Sequence, residues 1–336
     1  MSELNQPAPP GKFLVDPYQE WAKGEGVPIH TGAAADLLKA ETKTWARFGA
    51  KGAMCHLDGR DDFLTVFLLE IAPGASAALR RHLYEEISYV LSGSGVTEFE
   101  LAGRKQTIEW GPRSLFAVPM NARYRHRNTS GAQARIACVN DLRYLFSLYR
   151  NEKFIFETPV DFSERDGGTL SVPDAAALKL QESKNGIASA PLTLANGTIG
   201  ADVVELAPGT YQPASRQMQG AHHFGVAGEG YTLVWEEGAQ DFSRIDWRHG
   251  IVFAAPGMQF HQHFNAGAAP ARYLGIEFGS LRDPMLRSRR AAYGDTTVYA
   301  AGSATVAYAE QDPRIHQLWL DTIAGKDVAP RTPAGA

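Results

Sequence analysis

Short runs of β-branched and aromatic residues, each cut by a turn, recur along most of the chain; Phe63-Leu64-Thr65-Val66-Phe67-Leu68-Leu69 and Tyr231-Thr232-Leu233-Val234-Trp235 are typical. Pro-Gly and Gly-x-Gly steps between them supply tight reversals that other residues reach only under strain. Many short strands at regular spacing predict an all-β sandwich or barrel rather than a βαβ fold. Helical patterning is confined to the flanks: 17–24, 32–42, about 282–292 and 312–324, the last opened by Asp312-Pro313.

The strand pattern occurs twice. Glu70-Ile-Ala-Pro-Gly74 is echoed by Glu205-Leu-Ala-Pro-Gly209, and Gly93-Ser94-Gly95 by Gly228-Glu229-Gly230. Ile108-Glu109-Trp110 returns as Ile245-Asp246-Trp247, Pro119 as Pro256, Asn128 as Asn265, and Ala134-Arg135 as Ala271-Arg272. The offset stays between 135 and 137 throughout, which a chance pairing would not hold. The segment 160–195, with Ser-Glu-Arg-Asp-Gly-Gly and Val-Pro-Asp-Ala, reads as a linker and entry arm, and the tail from Lys326 as disordered.

Charge and composition narrow the function classes. With 33 basic and 37 acidic side chains, a net charge of -4 leaves no electrostatic footprint for nucleic acid or an anionic membrane. No apolar run reaches the roughly 18 residues of a membrane span, and the N-terminal residues lack a secretory pattern, so a cytoplasmic protein is expected. Cys55 and Cys138, far apart and in or next to apolar runs, are expected to be buried thiols.

These landmarks resemble the two signature motifs of the cupin superfamily. The first half shows Pro73-Gly74, Arg80-Arg81-His82-Leu83-Tyr84-Glu85-Glu86 and Gly93, then Pro119-Met120-Asn121-Ala122-Arg123-Tyr124-Arg125-His126-Arg127-Asn128. The second half shows Pro208-Gly209, Ser215-Arg216-Gln217, Gly220-Ala221-His222-His223 and Gly228, then Pro256 through His261-Gln262-His263-Phe264-Asn265. The resemblance implies an all-β bicupin of two tandem jelly-roll β-barrels with short flanking helices, an architecture shared by ring-cleaving dioxygenases, oxalate decarboxylases and several isomerases. It divides the chain into an N-terminal arm (1–59), a first cupin domain (60–150), a linker or arm (151–198), a second cupin domain (199–282) and a C-terminal helical segment and tail (283–336).

In metal-binding cupins two His and a Glu of the first motif and one His of the second converge inside the barrel. A strand period of two turns both imidazoles of His-x-His to one face, where they can share an ion. Neither half has the full set. In the first, His82 and Glu86 fit, Arg80 replaces one His and Tyr124 the other, and His126 falls on the interior face. His82, Glu86 and His126 can therefore form a two-His-one-carboxylate site. Alternatively Arg80, a guanidinium that repels a cation and stays charged, pairs with Glu86 in a metal-free pocket. Arg80 and Tyr124 are also candidates to orient an oxyanion in catalysis.

In the second half Ser215 and Gln217 stand in place of the first-motif histidines. Direct register aligns Glu86 with Ala221, and a one-residue slip would present His222; strand alternation lets only one of His222 and His223 face inward without a bulge. Gln217, His222 or His223, His261 and His263 can hold a divalent ion, or form a polar pocket without one. Six of the ten histidines fall at interior motif positions. Arg123, Arg125 and Arg127 alternate with Tyr124 and His126, either for anion recognition or as structural ion pairs. His56 is expected in a loop, and His249 and His316 on the surface.

The resulting expectation is an enzyme with one divalent transition metal (Fe foremost, then Mn, Ni, Zn or Cu). It would act on a small organic acid or aromatic, as a dioxygenase-like oxidoreductase. The alternatives are a bicupin lyase or isomerase, and a non-catalytic bicupin that binds a small ligand with no metal if both sites are degenerate. A small molecule is the expected partner, with no nucleic acid and no membrane, in a homo-oligomer.

Overall fold

The computed structural model describes residues 16–59, 63–101, 103–162, 168–182, 186–195, 197–216, 220–279 and 304–332. In the first half a large sheet runs in the order Ile29–Gly32, Ala50–Leu57, Thr65–Ile71, Ala134–Asn140, Glu86–Ser92, Leu115–Phe116 and Ser171–Val172, with Lys43–Trp45 added beside Ala50–Leu57. Opposite it stands a smaller sheet of Arg123–Asn128, Gly95–Leu101 and Arg104–Trp110. The second half repeats this. Its large sheet is Gln181–Glu182, Ile187–Leu192, Ile199–Leu206, Ala271–Phe278, Ala221–Ala227, Ile251–Ala255 and Ala34–Asp36; Gly230–Trp235, Phe260–Asn265 and neighbours oppose it.

The two sheet types differ in sequence for a physical reason. Arg123–Asn128 alternates exposed and buried because one face meets solvent and the other the lumen. Thr65–Ile71 is buried at every position. One face lines the first barrel with Phe67 and Leu69, and the other places Val66 and Leu68 in a cluster with Ala201, Val203, Leu274 and Ile276 of the second barrel. That shared core joins the barrels back to back.

The repeated landmarks are repeated anchors. The Asn128 amide donates to the carbonyls of Ile71 and Ala132, and that of Asn265 to Leu206 and Ala269. Arg135 pairs with Glu70 and caps the carbonyls of Leu37 and Ala40; Arg272 pairs with Glu205 and caps Ala175, Ala176 and Leu178. Gly95 and Gly230 lie flat against Trp110 and Trp247, where a Cβ would overlap the indole.

Several flanking elements differ from expectation. Residues 29–57, expected in an arm, supply strands to the first barrel's large sheet. The 32–42 segment is not a helix: Ala34–Asp36 joins the second barrel's edge at Ile251–Ala255, and Leu37 donates to the Gly250 carbonyl. The linker returns the exchange, its Ser171–Val172 pairing with Leu115–Phe116 of the first barrel. Long-range pairing thus overrides local helical preference. Helices at Pro17–Gly24 and Pro313–Ile323 are present, and two more, Leu142–Tyr149 and Glu152–Glu157, follow the first barrel. The tail is ordered through Thr332, which is buried and accepts from the Tyr211 amide at 3.1 Å. The 282–292 helix lies outside the described residues. No described helix is long and apolar enough to cross a membrane.

Candidate functional site

The first barrel's site is built where Arg80 bridges to Tyr124, one strand position from the end of Arg123–Asn128. Alternation then aims Tyr124 and His126 into the lumen, while Glu86 enters from the first residue of Glu86–Ser92. Tyr124, His126 and Glu86 are buried, and the Arg80 and Glu86 side chains are only 9% and 7% exposed. Arg80 Nε donates to Tyr124 Oη at 2.8 Å, and its Nη2 stands 3.4 Å from Glu86 Oε1 and 3.3 Å from His126 Nε2. The guanidinium is flanked by the Phe48 and Tyr124 rings at 4.4 and 4.7 Å. His82 Nε2 lies 2.7 Å from Tyr124 Oη, which is 3.1 Å from Glu86 Oε1.

Donor and acceptor chemistry fixes several protons. Arginine has only donors, so His126 Nε2 is bare and its hydrogen sits on Nδ1, bonded to Thr97 Oγ1 at 2.7 Å. His82 Nδ1 faces the Tyr84 carbonyl at 2.7 Å and carries its hydrogen there. Burial, reinforced by Arg80, holds both imidazoles well below the ordinary histidine pKa. His82 Nε2 is thus free to accept the phenol hydrogen. Burial raises the Glu86 carboxyl pKa, with Arg80 pulling the other way. Tyr124 Oη is placed to donate to Glu86 Oε1 as well, so its single hydrogen has two acceptors in reach. His82, Tyr124 and Glu86 form a proton line.

The residues His82, Glu86 and His126, expected as metal ligands, do come together, but around Arg80. Two of the three contact the guanidinium directly, and His82 reaches it through Tyr124. With the side chains so placed, this barrel does not fit a metal ion: a fixed positive charge sits among the donors. Arg80 faces Glu86, the pairing that the alternative reading expected. Two buried polar atoms there have no hydrogen-bond partner, Arg80 Nη1 and Glu86 Oε2. The Cys138 thiol adjoins the carboxyl, a weak donor at most.

The second barrel carries different side chains on the same frame. Ser215 pairs with His261 where Arg80 pairs with Tyr124, so no guanidinium enters. There is no register slip at His222. Cys138 pairs with Ser88 and Gly275 with His223, which puts His223 at the Ser88 position and Ala221 at that of Glu86. His223 faces the lumen; its ring lies 5.1 Å from Phe253 and 5.4 Å from Tyr273. Gly275 gives it room, having no side chain where Cys138 has one. His222, one residue earlier, lies on the opposite strand face with Phe224 and Val226, which pack between the barrels. The bulge that could have turned both inward comes later, between Gly225 and Ala227.

The rings of His223, His261 and His263 gather with centroids 4.8 to 6.2 Å apart. Burial lowers the His261 pKa to about 4 and holds His263 well below its ordinary value. Neutral imidazoles are the right donors for a divalent transition ion. Their placement falls short: among the described residues no three His, Cys, Asp or Glu are positioned to hold one ion. Gln217 lies outside the described residues.

Residues 67–140 match the family described as Cupin domain, and the second half repeats that framework strand for strand. The first half carries a cupin domain, and the chain as a whole has the two-barrel bicupin fold. It is similar in fold, over most of its length, to solved oxalate decarboxylases. A single-residue mutant of the Bacillus subtilis enzyme matches with a TM-score of 0.53 and 15% identity, over 86% of this chain and 84% of that one. The Lactobacillus farciminis enzyme in its formate complex matches with a TM-score of 0.54 and 15% identity, over 86% and 93%. A B. subtilis structure concerned with Mn(II) centres gives 0.52 and 17%, over 86% and 84%. At these identities the likeness is one of fold. No curated protein matches the bicupin in sequence.

Other motif residues have structural partners. Arg125 and Arg127 pair with Glu98 on the outer face of the small sheet, at 2.8 and 3.7 Å. His56 is in a strand, not a loop, buried with its Nε2 2.9 Å from Tyr18 Oη. His249 sits between the barrels with Nε2 3.0 Å from the Leu91 carbonyl, and His316 Nδ1 lies 2.9 Å from Tyr211 Oη. Sequence reasoning missed Thr97 and Thr232, which hold His126 and His263; each follows two residues after the first repeat's Gly95 or the second's Gly230, a position the repeat alignment could have flagged.

Proposed function

We propose that this bicupin is an enzyme of small organic acids whose reaction takes place in the first barrel. The carboxylate of the substrate is held by Arg80, and protons are delivered through Tyr124. The observation that carries this reading is the unpartnered Arg80 Nη1, a charged donor buried in the lumen beside the His82–Tyr124–Glu86 proton line. A guanidinium matches a carboxylate in charge and geometry, and desolvation strengthens the pair. Tyr124 Oη lies against the same guanidinium, so a substrate bound there sits within reach of its proton. The oxalate decarboxylase neighbours act on a compound of this chemical class. No step here requires an ion in the first barrel.

The test is a calorimetric and NMR screen of mono- and dicarboxylates of one to four carbons. A bound acid should lose at least tenfold in affinity in Arg80→Met, about 1.4 kcal/mol. Tyr124→Phe should keep binding and abolish turnover. Binding without turnover would favour the non-catalytic ligand-binding alternative; no acid bound in any condition would overturn the reading.

A second reading is favoured by the three clustered imidazoles of the second barrel. His223, His261 and His263 supply imidazole donors of the right kind for a divalent transition metal, although as placed no three donors among the described residues face one ion. Mn(II), named for one structural neighbour, is among the candidates. Metal analysis of protein purified without chelator decides it: a stoichiometric ion lost in His261→Ala supports this reading, and none above trace removes it.

A further inference from the structure

We infer that the Arg80 guanidinium is the resident cation of the first barrel, a built-in substitute that occupies the metal position and keeps the surrounding ligand set closed to metal ions. The proposed function uses the same residue, but this inference stands apart from it, since it concerns what the barrel excludes rather than what it turns over.

Three observations carry it. First, two of the three donor atoms a metal would use face the guanidinium, and the third reaches it through Tyr124. Glu86 Oε1 and His126 Nε2 face Nη2 at 3.4 and 3.3 Å, and His82 Nε2 is linked to Nε through the Tyr124 hydroxyl by contacts of 2.7 and 2.8 Å. His126 presents a bare nitrogen lone pair to the centre, its hydrogen being committed to Thr97 on the far side of the ring. That is the tautomer a metal would select. Second, the guanidinium is seated rather than incidental. Phe48 and Tyr124 cover its faces at 4.4 and 4.7 Å, the geometry of a cation–π enclosure. Third, the duplicated barrel is an internal control. Ser215 occupies the matching position, and among the described residues the lumen there gathers histidines in place of a guanidinium.

The physical logic is charge for charge. A buried carboxylate needs a compensating positive group. A divalent ion supplies it only when metal is available and its donors are deprotonated. A covalently attached guanidinium supplies it at every metal concentration and at any pH the fold survives. The first barrel should therefore keep its polarity in the presence of chelators.

The test counts ions in the full-length protein rather than activity. Metal-free wild type and Arg80→His are titrated with Co(II), followed by visible absorption and by equilibrium dialysis. Arg80→His restores a His-x-His pair with His82 beside Glu86 and His126. It should bind one more equivalent than wild type, and that equivalent should vanish in Arg80→His combined with Glu86→Gln. Wild-type stoichiometry should be unchanged by Glu86→Gln alone. A wild-type equivalent lost in Glu86→Gln would overturn the inference, as would a folded Arg80→His that binds no more than wild type. Should Arg80→His fail to fold, Arg80→Ser, the residue of the second barrel, opens the same centre and is read the same way. Failure of the carboxylate screen leaves these ion counts intact, so the two readings fall separately.

Discussion

Thr97 Oγ1 lies 2.7 Å from His126 Nδ1, and Thr232 Oγ1 lies 2.8 Å from His263 Nδ1 in the matching place of the other barrel. In each, a tryptophan indole, Trp110 or Trp247, donates to the same hydroxyl oxygen at 3.0 Å. The Trp–Thr–His set is preserved across the duplication, whereas the residues in front of it, Arg80 and Tyr124 against Ser215 and His261, have diverged. The frame that orients one lumen imidazole is thus shared; the chemistry presented to it is not.

Replacing that hydroxyl leaves a buried indole N–H and an imidazole nitrogen facing a methyl. Thr97→Val should destabilise the protein by about 2 kcal/mol, and Thr232→Val by a similar amount. Thr→Ser at either site keeps the oxygen and should cost far less. Urea unfolding of the four variants checks this; equal stability of Val and Ser would show that the hydroxyls orient nothing.

Glu85 ties the barrels together. Its buried carboxylate accepts from the Thr198 and Ile199 amides at 2.9 and 3.2 Å, and its own amide donates to Asp141 at 2.8 Å. Glu85→Ala leaves those two second-barrel amides without their acceptor. A loss of about 3 kcal/mol is expected, with amide exchange rising first at Thr198 and Ile199. Uniform loss of protection across both barrels would instead mean that the contact is not a joint.

The two thiols should be silent. Burial pushes Cys55 up to about 12 and Cys138 well above its ordinary value, and only a thiolate reacts readily. Neither should react with an aromatic disulfide reagent in the native state, and both should in denaturant. Fast native labelling of either would show that its barrel opens.

The duplication and the all-β architecture were legible because they rest on local signals: Pro-Gly turns, Gly-x-Gly reversals and a constant offset. The large-sheet runs such as Thr65–Ile71 were legible as strands, though their second buried face becomes clear only once the barrels pack back to back. Residues 32–42 misled because their partner, Ile251–Ala255, lies more than two hundred positions away and carries no local trace. At the site, spacing was enough to bring His82, Glu86, Tyr124 and His126 together. It could not say what stands at the centre, since that depends on the length and reach of Arg80. Nor could it choose between His222 and His223, which turned on Gly275 leaving room across the sheet.

Buried neutral histidines make stability depend on pH, and the sign follows from their direction of shift. The folded His261 pKa falls to about 4, and those of His82, His126 and His263 are also held well below the ordinary value, mainly by burial. Below about 6.5 the unfolded chain takes up protons that the folded protein refuses. Stability is therefore full above pH 6.5 and falls as the pH drops toward 4, by about 1.4 kcal/mol per pH unit for each such histidine. Glu86 acts in the opposite sense: its pKa is raised in the fold, so protonation there favours the folded state and offsets part of the loss. The net expectation is a protein that loses stability steeply between pH 6.5 and 4, with a milder slope above. His261→Gln removes one of the refused protons and should flatten that limb by about 1.4 kcal/mol per pH unit. Chemical unfolding at half-unit steps from pH 4 to 7 measures both slopes. Parallel curves for wild type and variant would mean that His261 titrates as freely in the barrel as in the open chain.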